Sequence, residues 1–99
     1  MYVLVQHTVR DFDAWKPAFD EHEGKRAEYG CTCHTIYRDA DKPNNVTIVM
    51  EYESRERAEA FMRDPSLREA MERGGVTSEP HATWLEKQET CSYAGRRAA

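Results

Sequence analysis

The chain has 99 residues, of which 39% are apolar and 32% charged, with a formal net charge of −4. That length suits a single domain. The acidic balance, without a basic stripe interleaved with aromatics, argues against a nucleic-acid partner, and no apolar run reaches the ~18 residues that a membrane span needs.

Tyr2 to Val9 alternates in a way that suits a strand. Val3, Val5 and Val9 share one face, and Tyr2, Leu4, Gln6 and Thr8 the other. Both faces are fairly apolar, so cover is expected on both. Because Met1-Tyr2-Val3-Leu4 enters this strand with no basic leader, a cytoplasmic location is expected. Asp11 or Asp13 is positioned to cap a helix. Within it Phe12, Trp15 and Phe19, three and four apart, form a buried stripe. Pro17 falls near the start, where a missing donor costs least. Asp20 to Arg26, with His22 among its acidic residues, is expected to be a solvated face. Tyr29-Gly30 closes the helix.

Residues 31–38, CTCHTIYR, suit a second strand. The run of turn formers from Asp39 to Asn45 suits a hairpin connection. Val46 to Glu53 suits a third strand. Ser54 is a candidate cap for a helix whose buried stripe is Ala58, Phe61 and Met62. Asp64 caps a continuation with Pro65 at its first position, and Leu67, Ala70 and Met71 repeat the stripe up to Gly74-Gly75. A last strand is expected from about His81 to Lys87, with His81 at its entrance or at a pocket rim. Residues 1–88 thus form one domain, and 89–99 a flexible tail without periodicity.

The order strand, helix, strand, strand, helix, strand predicts an α+β, ferredoxin-like βαββαβ fold: an antiparallel sheet with its helices on one face. The other face is best covered by the same face of a second copy. That gives a homodimer with twofold symmetry, a dimeric α/β barrel.

Three cysteines, Cys31, Cys33 and Cys91, match no disulfide framework. Cys31 and Cys33 flank one residue, which in a regular strand puts them side by side on one face. They read as reduced, half-buried small residues, with a metal or redox pair as the sharper alternative.

Two segments carry a resemblance to a known group. They are Val9-Arg10-Asp11-Phe12-Asp13-Ala14-Trp15-Lys16, and Glu51-Tyr52-Glu53-Ser54 with Ala58, Phe61, Asp64 and Pro65. Through them, over about residues 2–87, the chain resembles the dimeric α/β-barrel superfamily, which includes the antibiotic-biosynthesis monooxygenase group and small polyketide cyclases. Members of that group often read E-x-W-x-S, then A-x-x-H and S-P-H. Tyr52 stands where their tryptophan stands, and Phe61 and Ser66 where their histidines commonly fall. The resemblance implies a small-molecule cavity between sheet and helices. It also implies either cofactor-free oxygenation of an electron-rich aromatic or closure of a polyketide-like ring.

Such chemistry needs a base and hydrogen bonds to a developing anion. His7 and His34, each within a strand, are the candidate acid/base residues; structural or dimer-face roles are the alternative. Tyr37, Tyr52, Trp84, Glu51 and Phe61 are candidates to shape the pocket or contact substrate, with core packing or surface solvation as their plainer roles. Arg38 and Arg68 suit an acidic substrate or simple solvation. No phosphate-binding, dinucleotide or HExxH motif is present, so no cofactor is expected. Two rival readings stay open. One is a non-catalytic ligand-binding or stress-response module. The other is metal or haem binding through His7, His34 and Glu51, or through the Cys31/Cys33 pair.

Overall fold

Alternating apolar residues in the four strands put one row of side chains against the helices and the other row outside. The computed structural model describes residues 1–94. Along the chain run β1 (Tyr2–Thr8), α1 (Phe12–Glu21), α2 (Glu23–Glu28), β2 (Cys31–Arg38), β3 (Asn45–Tyr52), α3 (Arg55–Met62), α4 (Pro65–Gly74) and β4 (His81–Leu85). The strands form one antiparallel sheet in the order β2-β3-β1-β4. This is the expected α+β, ferredoxin-like arrangement.

The helix-facing row holds Val3, Val5 and His7 of β1 and Val46, Ile48, Met50 and Tyr52 of β3, all buried. Trp15, Ala58 and Phe61 close over it from the helices. Each large apolar side chain so buried contributes about 1.5–3 kcal/mol relative to exposure. The opposite row contains Leu4, Val49 and Leu85, half-buried, and Tyr37, 58% exposed.

Helix boundaries follow local chemistry with two exceptions. Ser54 caps α3 by accepting from the Arg57 N–H at 3.2 Å, and Asp64 caps α4 by accepting from the Ser66 N–H at 2.8 Å, with Pro65 opening the helix. Asp11 occupies the cap position of α1, yet its side chain makes no capping bond. Asn44 supplies it from the β2–β3 hairpin: its Oδ1 accepts from the Phe12 N–H at 3.0 Å, and its Nδ2 donates to the Arg10 carbonyl at 3.2 Å. The second exception is a break at His22, which divides the expected long helix into α1 and α2. There the His22 N–H turns back to the Phe19 carbonyl at 3.2 Å, and the Arg26 Nη1 donates to that same oxygen at 2.9 Å. Pro17 lies inside α1 rather than in its first turn, and is exposed.

The two glycines after α4 have distinct reasons to be there. Gly75 ends the helix with φ +76°, a left-handed conformation that favours glycine. At Gly74 a Cβ would lie 2.9 Å from the Trp15 indole, so the missing side chain lets α4 approach α1.

Val9 sits past β1 and is held by an isolated bridge to Val76. The last strand ends at Leu85, two residues before the expected Lys87. Residues 86–94 are exposed and carry no helix or strand. The remainder of the expected 89–99 tail, residues 95–99, lies outside the described residues.

Candidate functional site

Between the helix layer and the sheet lies a cavity of about 280 Å³. Val5, Ile48 and Met50 form its sheet wall, and Trp15, Phe19, Phe61, Leu67 and Met71 line it from the helices. The exposed residues Arg68, Glu79 and Ala82 stand at its edge and mark the mouth. Three polar side chains line this mainly apolar space while almost wholly buried: His7 (7% exposed), His22 (7%) and Arg26 (3%).

His7 comes from the helix-facing row of β1. Its ring meets the Trp15 indole edge-on, with centroids 5.6 Å apart. Burial lowers its pKa below 6.5, so the ring is neutral at physiological pH. Its Nδ1 is buried and has no hydrogen-bond partner among the described residues. A neutral imidazole in the wall of an apolar cavity can accept a proton or hold a substrate hydroxyl.

His22 stands at the α1–α2 break, where its Nε2 is 2.9 Å from the Ser66 hydroxyl and its ring tilts against Phe61, with centroids 5.5 Å apart. Burial lowers its pKa as well. The expectation of a solvated His22 is therefore overturned, and so is that of a solvated Arg26. The guanidinium of Arg26 lies over the Phe19 ring, 3.6 Å from its centroid. Its Nη1 donates to the Phe19 carbonyl, while Nε and Nη2 have no partner among the described residues. The signal for both residues was present in the sequence. Phe12, Trp15, Phe19, His22 and Arg26 continue one spacing of three and four, so the buried stripe runs on through two polar residues.

The other candidate residues divide between the two faces. His34 is half-buried on the helix-facing side of β2, edge-on to Phe19 at 5.1 Å. It lines a shallower depression with Arg26 and residues 31–33, not the main cavity. Strand β3 separates it from His7. His7 pairs with Val46 and His34 with Met50, two strands and four positions apart. That places their Cα atoms about 16 Å from one another. The structure does not bring this pair to one reacting atom. The ring chain His7, Trp15, Phe19, His34 connects them instead.

Phe61 lines the cavity. Tyr52 is buried beside it, its hydroxyl 3.6 Å from the Met50 sulfur, and burial pushes its pKa up. Trp84 is half-buried on the edge strand beneath the Arg55 guanidinium, 4.7 Å away. Tyr37 and Glu51 belong to the outer face of the sheet, where Cys33 donates to Glu51 at 3.4 Å. A metal set of His7, His34 and Glu51 is therefore not assembled. Among the described residues no group of three His, Cys, Asp or Glu side chains is placed to hold a metal ion. Cys31 and Cys33 do not share a face either. A bulge between them pairs Cys31 with Tyr52 and Cys33 with Glu51, and so turns them to opposite sides. His81 opens β4 on the outer face, exposed and paired with Gln6.

Comparison with known proteins fits this architecture. The family model for antibiotic biosynthesis monooxygenase matches residues 10–73. No curated protein matches the sequence. Among solved structures, a Bordetella bronchiseptica protein bearing the same family designation superposes with TM-score 0.77 at 13% identity, over 89% of this chain and 96% of that one. SnoaB, a cofactor-independent oxygenase from Streptomyces nogalater, gives TM-score 0.69 at 16% identity over 88% and 93%. A Mycobacterium tuberculosis protein gives TM-score 0.67 at 21% identity over 92% and 97%. No helix among the described residues is long and apolar enough to cross a membrane. With more than half of its length matched by the family model and its fold shared with these structures, the chain belongs to the antibiotic biosynthesis monooxygenase family.

Proposed function

We propose that this protein is a homodimeric, small-molecule-binding barrel that oxygenates an electron-rich aromatic or polyketide-like substrate with no cofactor. The observation that carries the reading is the mainly apolar cavity with the neutral, buried His7 imidazole in its wall. An activated methylene between aromatic rings, or a phenol, loses a proton to such a base. The resulting anion is electron-rich enough to reduce dioxygen itself. One oxygen atom enters the substrate as a carbonyl in place of two hydrogens, and the other leaves as water. Trp15, Phe19 and Phe61 hold the flat substrate and keep water from the anion. Family membership and the likeness to SnoaB support oxygenation over ring closure.

Oxygen uptake with polycyclic phenols, compared between the native chain and H7F, tests the proposal. A base in this position is worth roughly 10²–10⁴ in rate, so H7F should lose activity by that order, while H34Q stays close to native. Equal rates for H7F and the native chain would remove His7 from the chemistry. Tight binding of such phenols without any oxygen uptake would instead identify a non-catalytic binding module.

A further inference from the structure

Arg26 has a side chain whose position the oxygenation reading leaves unexplained. A guanidinium stays charged under all physiological conditions. Burying one is costly unless an anion or a full set of acceptors meets it. Arg26 has neither. Among the described residues only its Nη1 is satisfied, by the Phe19 carbonyl at 2.9 Å. The ion pairs among the described residues are Lys16–Asp20, Lys25 with Glu28 and Asp64, Arg55–Glu59 and Arg57–Glu53, and none includes Arg26. Burial works against its charge, and Glu23 and Asp20 offset this only from a distance, without closing a bond. The result is a 3% exposed cation in the wall of the cavity, stacked on Phe19, with its Nε and Nη2 groups meeting no acceptor among the described residues.

We infer that Arg26 is an anion anchor, and that the cavity takes flat aromatic molecules carrying a carboxylate or an equivalent anionic oxygen. The inference rests on the cavity being a small-molecule site. It adds that the ligand supplies the missing negative charge. Nε and the neighbouring Nη of a guanidinium form a fork that matches the two oxygens of a carboxylate. Phe19 connects this fork to the Trp15 and His7 end of the cavity through rings 4.9 and 5.6 Å apart. An aromatic body lying along Phe19 and Trp15 thus places its charged end at Arg26 and its other end toward His7.

The probes are 2-naphthoate and 2-naphthamide, which share ring and shape and differ in charge. Calorimetric titration gives each affinity. The indole N–H resonance of Trp15, assigned in a W84F background, reports whether the ligand occupies the main cavity, because Trp15 lines it and Trp84 does not. The native chain should bind the acid on the order of ten-fold more tightly than the amide, and both should move the Trp15 resonance. R26M should lose the preference while its affinity for the amide is unchanged, and R26K should recover part of it. Without ligand, R26M should melt at or above the native temperature, since it removes an unpaired buried charge; a purely structural arginine would lower it.

Equal affinities for acid and amide in the native chain would overturn the anchor while leaving the cavity reading intact. A preference that persists in R26M, or acid binding that leaves Trp15 unmoved, would do the same. Failure of both compounds to bind would overturn both readings. The native acid-to-amide comparison needs no variant, so a poorly folding R26M does not obscure the result.

Discussion

The Nε2 of His22 and the hydroxyl of Ser66 lie 2.9 Å apart, joining the end of α1 to the first turn of α4 across 44 positions of sequence. This bond satisfies a buried imidazole beside the cavity. In S66A the ring nitrogen loses its partner, at a cost of about 1–3 kcal/mol. In a domain of this size each kcal/mol lowers the melting temperature by about 4–8 °C. A thermal melt of S66A matching the native curve would show that the contact contributes nothing.

Three histidines make the fold sensitive to mild acid. Burial lowers the pKa values of His7, His22 and His34 below 6.5. The unfolded chain regains the ordinary value, so below that pH it binds more protons than the folded one, and stability falls as pH falls. Asp64 acts in stronger acid. The Tyr29 hydroxyl, 2.6 Å away, holds its carboxyl well below 3.8, so its stabilisation is complete above that value and is lost only as pH drops further. The melting temperature should therefore decline from about pH 7.5 to about pH 5.5, before ordinary carboxylates titrate. H7N should flatten the slope. A native melting temperature constant over that range would contradict the account.

The close approach of Gly74 to Trp15 predicts an overpacking defect. In G74A the added methyl meets the indole at 2.9 Å and forces α1 and α4 apart or turns the ring. The expected loss is about 1–3 kcal/mol, with a shifted Trp15 emission spectrum. Because Trp15 lines the cavity, ligand affinity should fall with it. G74A with native stability and native emission would mean the helices are not held at that distance.

The outer sheet face predicts the assembly state. Val49 lies mid-sheet, paired with Leu4 on one side and Thr35 on the other. If a second copy covers this face, sedimentation at micromolar concentration should show a dimer, and V49K, which places a charge at its centre, should sediment as a monomer. A native chain that is monomeric under these conditions would rule out the barrel as proposed.

Periodicity alone determined the element order, the helix-facing row of the strands and the caps at Ser54 and Asp64, because these depend on neighbours one to four residues away. It also carried the stripe from Phe12 to Arg26. The polar side chains at positions 22 and 26 hid that stripe, since a histidine and an arginine among acidic residues ordinarily face water. Long-range pairing decided the rest. Strand order inserted β3 between His7 and His34, a bulge turned Cys31 and Cys33 to opposite faces, and Asn44 of a distant hairpin, not Asp11, capped α1. Residue spacing constrains which face a side chain takes along its own element. Only packing of elements far apart in the chain decides which side chains converge, and here it enclosed His7, His22 and Arg26 around one cavity.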